Sequence, residues 1–132
     1  MDSRVEPSKE VDELANTVIG AAIEVHKHLG PGYLENVYEE ALTVELGLRG
    51  IPYHRQYPIS VAYKAATVGE GRLDFLVGNQ LIVELKAVES ILPIHKSQLI
   101  SYLKAMSLPL GLLLNFNVRM MRDGIQRIVF SS

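Results

Sequence analysis

Arg72-Leu73-Asp74-Phe75-Leu76-Val77-Gly78-Asn79-Gln80-Leu81-Ile82-Val83-Glu84-Leu85-Lys86 reads as two apolar strands around a polar turn. Side chains alternate along a strand, so Glu84 and Lys86 share a face. Carboxylates among such apolar neighbours are costly unless paired or bound to metal. The turn decides whether Asp74 joins them. If Gly78-Asn79 alone made the turn, Asp74 would pair with Val83 and point away from Glu84. A three-residue loop, Gly78-Asn79-Gln80, or a bulge, pairs Val77 with Leu81 and sets Asp74 opposite Glu84. The expectation is this odd register.

Two carboxylates side by side repel, and a divalent cation relieves the repulsion. Hard oxygen donors without His or Cys favour Mg²⁺ or Mn²⁺ over zinc. Such an ion polarises a phosphoryl oxygen and lowers the pKa of a bound water. Lys86 would then stand beside the developing charge. The plain alternative is a surface Glu84–Lys86 ion pair with an unrelated Asp74. By pattern alone the two readings stand level.

Outward from the hairpin, helical spacing of Val11, Leu14, Ala15, Val18, Ile19, Ala22, Ile23 and Leu29 predicts a long amphipathic helix capped at Ser8. Gly30-Pro31-Gly32 stops it. A second helix is expected over 34–48, ended by Gly47 and Gly50. Tyr53–Tyr63 is β-rich, with Pro58 suggesting an edge or a bulge. Gly69-Glu70-Gly71 reads as a turn before the Arg72 strand. Pro93–Met106 predicts a third helix, Leu110–Phe116 a strand buried on both faces, and Ile125–Phe130 a last short strand. The order is ααβββαββ, an α/β fold with a central mixed sheet flanked by helices. Residues 1–7 read as a tail and 8–132 as one domain.

Composition sets the outer limits. The chain has 132 residues, 48% hydrophobic and 21% charged, enough for a real core. It contains no cysteine, which removes disulfides, thiolate zinc sites and cysteine nucleophiles. No apolar run reaches the roughly 18 residues of a membrane span, and the start is polar, so no membrane and a cytoplasmic location are expected. The net charge of −2 argues against coating nucleic acid by bulk electrostatics. Its distribution is uneven: residues 1–50 carry 4 basic and 10 acidic side chains, residues 91–132 carry 5 basic and 1 acidic. A local phosphate-binding face and a solvated acidic helix surface both fit that division.

Further candidates lie on the helices. Glu35 and Tyr38 are three apart at the start of helix two, and Glu35 also suits the dipole there. His95, Gln98 and Tyr102 fall on one face of helix three, placed to cover the hairpin. A helix surface with a half-buried Tyr explains that face equally. His95 reads as a solvent or nucleic-acid-facing residue rather than a metal ligand. Arg119, Arg122 and Arg127, with Lys96 and Lys104, suit phosphates or plain solvent. No histidine pair has zinc spacing, and the Gly30-Pro31-Gly32 turn lacks a nucleotide-binding fingerprint.

Gly32, Glu35 and Tyr38, the two hairpin segments, Gln98 to Lys104, Leu112 to Phe116 and Arg127-Ile128 together resemble the GxxExxY family. That family is a branch of the PD-(D/E)xK nuclease superfamily, and the resemblance spans about Val18 to Val129. It implies a restriction-endonuclease-like core. It implies metal ligation by Asp74 and Glu84 with the Leu85 carbonyl, and Glu35 as an auxiliary acid near the metal. Lys86 would be the catalytic lysine, with Gln98 and Tyr102 positioning lysine, water or backbone phosphate. Asn117 departs from the glycine often found there. The expected activity is Mg²⁺- or Mn²⁺-dependent hydrolysis of phosphodiesters in nucleic acid, DNA first. The alternative is a nuclease-fold binding or interaction module with a weak or unused site. A homodimer is left open.

Overall fold

In the computed structural model, residues 6–131 are described. Helix α1 spans Lys9–Leu29, α2 Glu35–Leu48 and α3 Pro93–Met106. The strands are β1 Tyr53–Tyr63, β2 Ala66–Val77, β3 Leu81–Lys86, β4 Leu110–Asn115 and β5 Ile125–Val129. A 3-10 turn, Met121–Gly124, precedes β5. The expected ααβββαββ order holds. Among the described residues the five strands lie in chain order, and only β3 and β4 run parallel. That parallel pair is forced by α3, the one connection long enough to cross over.

Local chemistry explains the boundaries. The Ser8 side chain accepts the Val11 N–H at 3.3 Å and caps α1, whose first turn carries Glu10 and Asp12. Gly30, at φ 68°, closes it. Gly47 does not end α2; the helix continues to Leu48, and Gly50 at φ 68° turns the chain. The tail expected over 1–7 falls mainly outside the described residues, and Pro7 is buried. No described helix is long and apolar enough to cross a membrane.

One strand is longer than its sequence suggests. Gly69-Glu70-Gly71 is not a turn but the middle of β2. The chain reverses instead at Lys64-Ala65, with Tyr63 paired to Ala66 and Lys64 at φ 55°. β1 is an edge strand, as Pro58 suggested, and a bulge falls between Val61 and Ala62. Gly71 has a spatial role: a Cβ there would sit 3.1 Å from the Tyr102 ring.

The sheet separates two apolar layers. Val18, Ala22 and Val25 of α1 and Leu42 and Leu46 of α2 pack against Phe75, Val83, Leu112 and Leu114. On the other face, Leu99 and Leu103 of α3 meet Leu76, Ile82 and Leu113. Every residue of β4 is buried, as a strand covered on both faces requires.

Candidate metal centre

The hairpin register is the odd one. Val77 pairs with Leu81, Leu76 with Ile82 and Phe75 with Val83. Gly78 and Asn79 are both left-handed, at φ 58° and 57°, and Gln80 N–H closes the turn on Val77 O at 3.1 Å. Gln80 is the additional residue that keeps β3 in step. Gly78 is also pressed under α1, where a Cβ would lie 2.9 Å from Leu14.

Regular pairing of β2 and β3 stops after Phe75 and Val83. At the next rung Asp74 and Glu84 face one another and their side chains take over the ladder. Asp74 N–H donates to Glu84 Oε2 at 2.9 Å, and Leu85 N–H donates to Asp74 Oδ2 at 2.8 Å. Each carboxylate is thereby fixed by the other strand and keeps a second oxygen outside these bonds. Glu84 is only 6% exposed. Burial first, then the Asp74 carboxylate, pushes its pKa well above the usual range.

Across β2 from Glu84, β1 kinks at Gln56, a non-glycine residue at φ 53°. Arg55 pairs with Phe75 and Tyr57 with Leu73, so the missing rung is the one opposite Asp74. Gln56 Nε2 donates to Glu39 Oε1 at 2.6 Å, and Arg55 reaches Glu39 at 2.7 Å and Glu40 at 2.6 Å. α2 is thus tied to β1 beside Asp74. Glu40 is held below its usual range by hydrogen bonding to Arg55.

The remaining expected residues arrive from three elements. Glu35, at the start of α2, has a raised pKa from partial burial, then from Asp74, while Lys86 pulls it down. Its charge therefore belongs to the same cluster. Lys86 is half-buried at the end of β3, and no described carboxylate forms an ion pair with it. Tyr102 leans over the site from α3; burial, then Glu84 and Asp74, raise its phenol pKa. Gln98 is exposed one turn earlier on α3, and no described hydrogen bond reaches it. Leu85 has a buried side chain and a backbone N–H committed to Asp74.

Two residues that share a face with expected site residues make bonds of the fold. Tyr38 is fully buried; its hydroxyl donates to Gly30 O at 2.6 Å and accepts Tyr33 N–H at 3.2 Å. Its ring stacks on Phe116 at 4.7 Å. Tyr38 thus locks the α1–α2 turn that delivers Glu35. His95 is half-exposed, and its Nδ1 accepts Leu92 N–H at 3.0 Å and caps α3. Arg127 is occupied by Asp12.

Sequence reasoning missed Asn115. It is 2% exposed, and its amide donates to Val88 O at 2.9 Å while its Oδ1 accepts Val88 N–H at 3.1 Å and Asn117 N–H at 3.2 Å. This clasp holds the chain leaving Lys86. A polar residue ending a wholly apolar strand was the available signal.

The donor set suits a hard divalent cation. Asp74 and Glu84 offer two mutually repelling carboxylates in a half-dry setting. No three His, Cys, Asp or Glu side chains among the described residues converge as a ready cage. Any ion would therefore draw on backbone oxygen and water as well.

The family model of the PD-(D/E)XK nuclease superfamily matches residues 12–128 of the chain. Comparison with the curated proteins finds no match.

Proposed function

The chain belongs to the PD-(D/E)XK nuclease superfamily, and on that premise we propose that it hydrolyses phosphodiester bonds of DNA with Mg²⁺ or Mn²⁺. Within the superfamily we place it in the GxxExxY branch, on Gly32, Glu35 and Tyr38. The observation that carries the reading is the meeting of Asp74 and Glu84 where β2 and β3 splay. Such a buried acid pair costs stability, and a divalent cation is the partner that offsets it.

In this reading Asp74, Glu84 and the Leu85 carbonyl would hold the ion, with Glu35 as the auxiliary acid. A divalent cation held there would supply Lewis acidity toward the scissile phosphate and lower the pKa of an attacking water. Lys86, without an ion pair among the described residues, would stabilise negative charge building on the phosphoryl oxygens. Tyr102 and Gln98 position the phosphate from the α3 side. Tyr38 acts through Glu35 and is a positioning residue.

The test is incubation with linear, nicked and single-stranded DNA in Mg²⁺ or Mn²⁺. Cleavage should vanish in Glu84→Ala and fall by about 10²-fold or more in Lys86→Ala. Cleavage that survives both changes belongs to a contaminant. Absence of both cleavage and Mn²⁺ uptake by calorimetry would replace the nuclease with a binding module.

A further inference from the structure

A second feature opens at the same end of the sheet. Phe116 leaves β4 with its N–H on Lys86 O at 2.9 Å. The chain then crosses to the end of α1, where His26 Nε2 donates to Val118 O at 2.7 Å. Between them lies a groove of about 360 Å³, in the size range of sites for small organic groups. Lys27, Arg119 and Arg122 line it. All three are exposed, and none has a carboxylate partner among the described residues. The nearest acid on α1, Glu24, is bonded to His28 at 2.8 Å. Asp123, beside Arg122, is not among the lining residues.

The floor between these cations is apolar. Ile23 is 44% exposed and Met120 49% exposed, with Met121 beneath them. Three unpaired cations around exposed apolar side chains fit a ligand that is anionic along one edge and flat and apolar on another. A duplex presents phosphates but hides its base faces in the stack. An unpaired strand presents both. The polarizable Met120 thioether suits a base face of any identity.

We propose that this groove takes an unpaired nucleotide of the substrate strand, with Lys27, Arg119 and Arg122 on its phosphates and a base against Ile23 and Met120. The enzyme therefore acts on single strands, or on single-stranded stretches adjoining a duplex. The identity of the occupant rests on the nuclease reading above. The overall charge of −2 fits this arrangement: the chain grips nucleic acid at one basic groove rather than over its whole surface.

The experiment is fluorescence anisotropy in EDTA, so that binding is read without cleavage. The probes are a labelled oligothymidylate and a fully paired duplex of equal length. The single strand should bind more tightly. Lys27→Ala/Arg119→Ala/Arg122→Ala should weaken it about tenfold or more and flatten the salt slope by about 2, from roughly 0.7 per phosphate contact. A second reading needs no variant. Oligothymidylate should shield Lys27 of the native protein from acylation and leave Lys64, at the hairpin tip, reactive.

Tighter duplex binding, an unchanged affinity in the triple variant, or an unshielded Lys27 would each overturn the groove. Mn²⁺ calorimetry on the native protein separates the two readings. Mn²⁺ uptake and cleavage with strand binding indifferent to the three cations would sink the groove alone. Strand binding that depends on them, without Mn²⁺ uptake or cleavage, would sink the nuclease reading and leave the groove standing.

Discussion

Replacing Glu84 by glutamine should make the metal-free protein more stable, and Mn²⁺ should reverse that order. Glu84 is buried, and burial followed by the Asp74 carboxylate raises its pKa. The folded state thus holds this proton more tightly than the unfolded chain, whose Glu titrates near pH 4. Below that pH both states are protonated and the acid costs nothing. From there up to the folded-state pKa, stability falls by about 1.4 kcal/mol per pH unit, and above it the full loss remains. Glutamine keeps an oxygen to accept the Asp74 N–H and removes the charge. Water entry and relaxation reduce the nominal penalty, so the gain at pH 8 should be about 1–3 kcal/mol, roughly 3–10 °C in Tm. Near pH 4 it should disappear.

The assay is thermal unfolding at pH 4, 6 and 8 in EDTA, repeated with Mn²⁺. At 100 times its Kd, Mn²⁺ would add about 2.7 kcal/mol to the native protein. The variant, short of one carboxylate, should gain far less. A variant less stable than the native protein in EDTA at pH 8 would refute the strained-pair reasoning. Equal stabilisation of both by Mn²⁺ would refute the metal assignment.

Lys86→Ala should retain Mn²⁺ binding by calorimetry and lose about 10²-fold or more in cleavage rate; loss of binding instead would make Lys86 a structural residue. Tyr38→Phe keeps the Phe116 stack and loses the bond to Gly30 O, which should cost about 1–2 kcal/mol in urea unfolding. Asn115→Ala removes two hydrogen bonds to Val88 and one to Asn117, with an expected cost of about 2–4 kcal/mol by the same measurement. Asn79→Gly, which suits the left-handed backbone at that position, should change stability by less than about 1 kcal/mol.

Much of the molecule was legible because its signals are local. Ser8, Gly30 and Pro93 mark helix ends through their own backbone chemistry. The period-2 and 3.6 patterns identify the elements, since each must bury one face. The register followed from turn length: a three-residue loop or a bulge brings both acids to one face, and the structure takes the loop.

Other features were not legible because they depend on distant partners. Gly69 and Gly71 resemble turn residues, yet Gly71 is small because the Tyr102 ring lies over it. Tyr38 shares a face with Glu35 and His95 with Gln98 in sequence, but their partners, Gly30 O and Leu92 N–H, commit them to turn and cap. Gln56 gives no sign in sequence that it breaks the rung opposite Asp74, and Lys27 none that it faces Arg119 and Arg122. The sequence by itself determined the elements, their order and the two registers open to the hairpin, because alternation and turn length are properties of neighbouring residues. Only the tertiary structure decided which polar side chains stay free for a substrate, because that depends on hydrogen-bond partners far away along the chain.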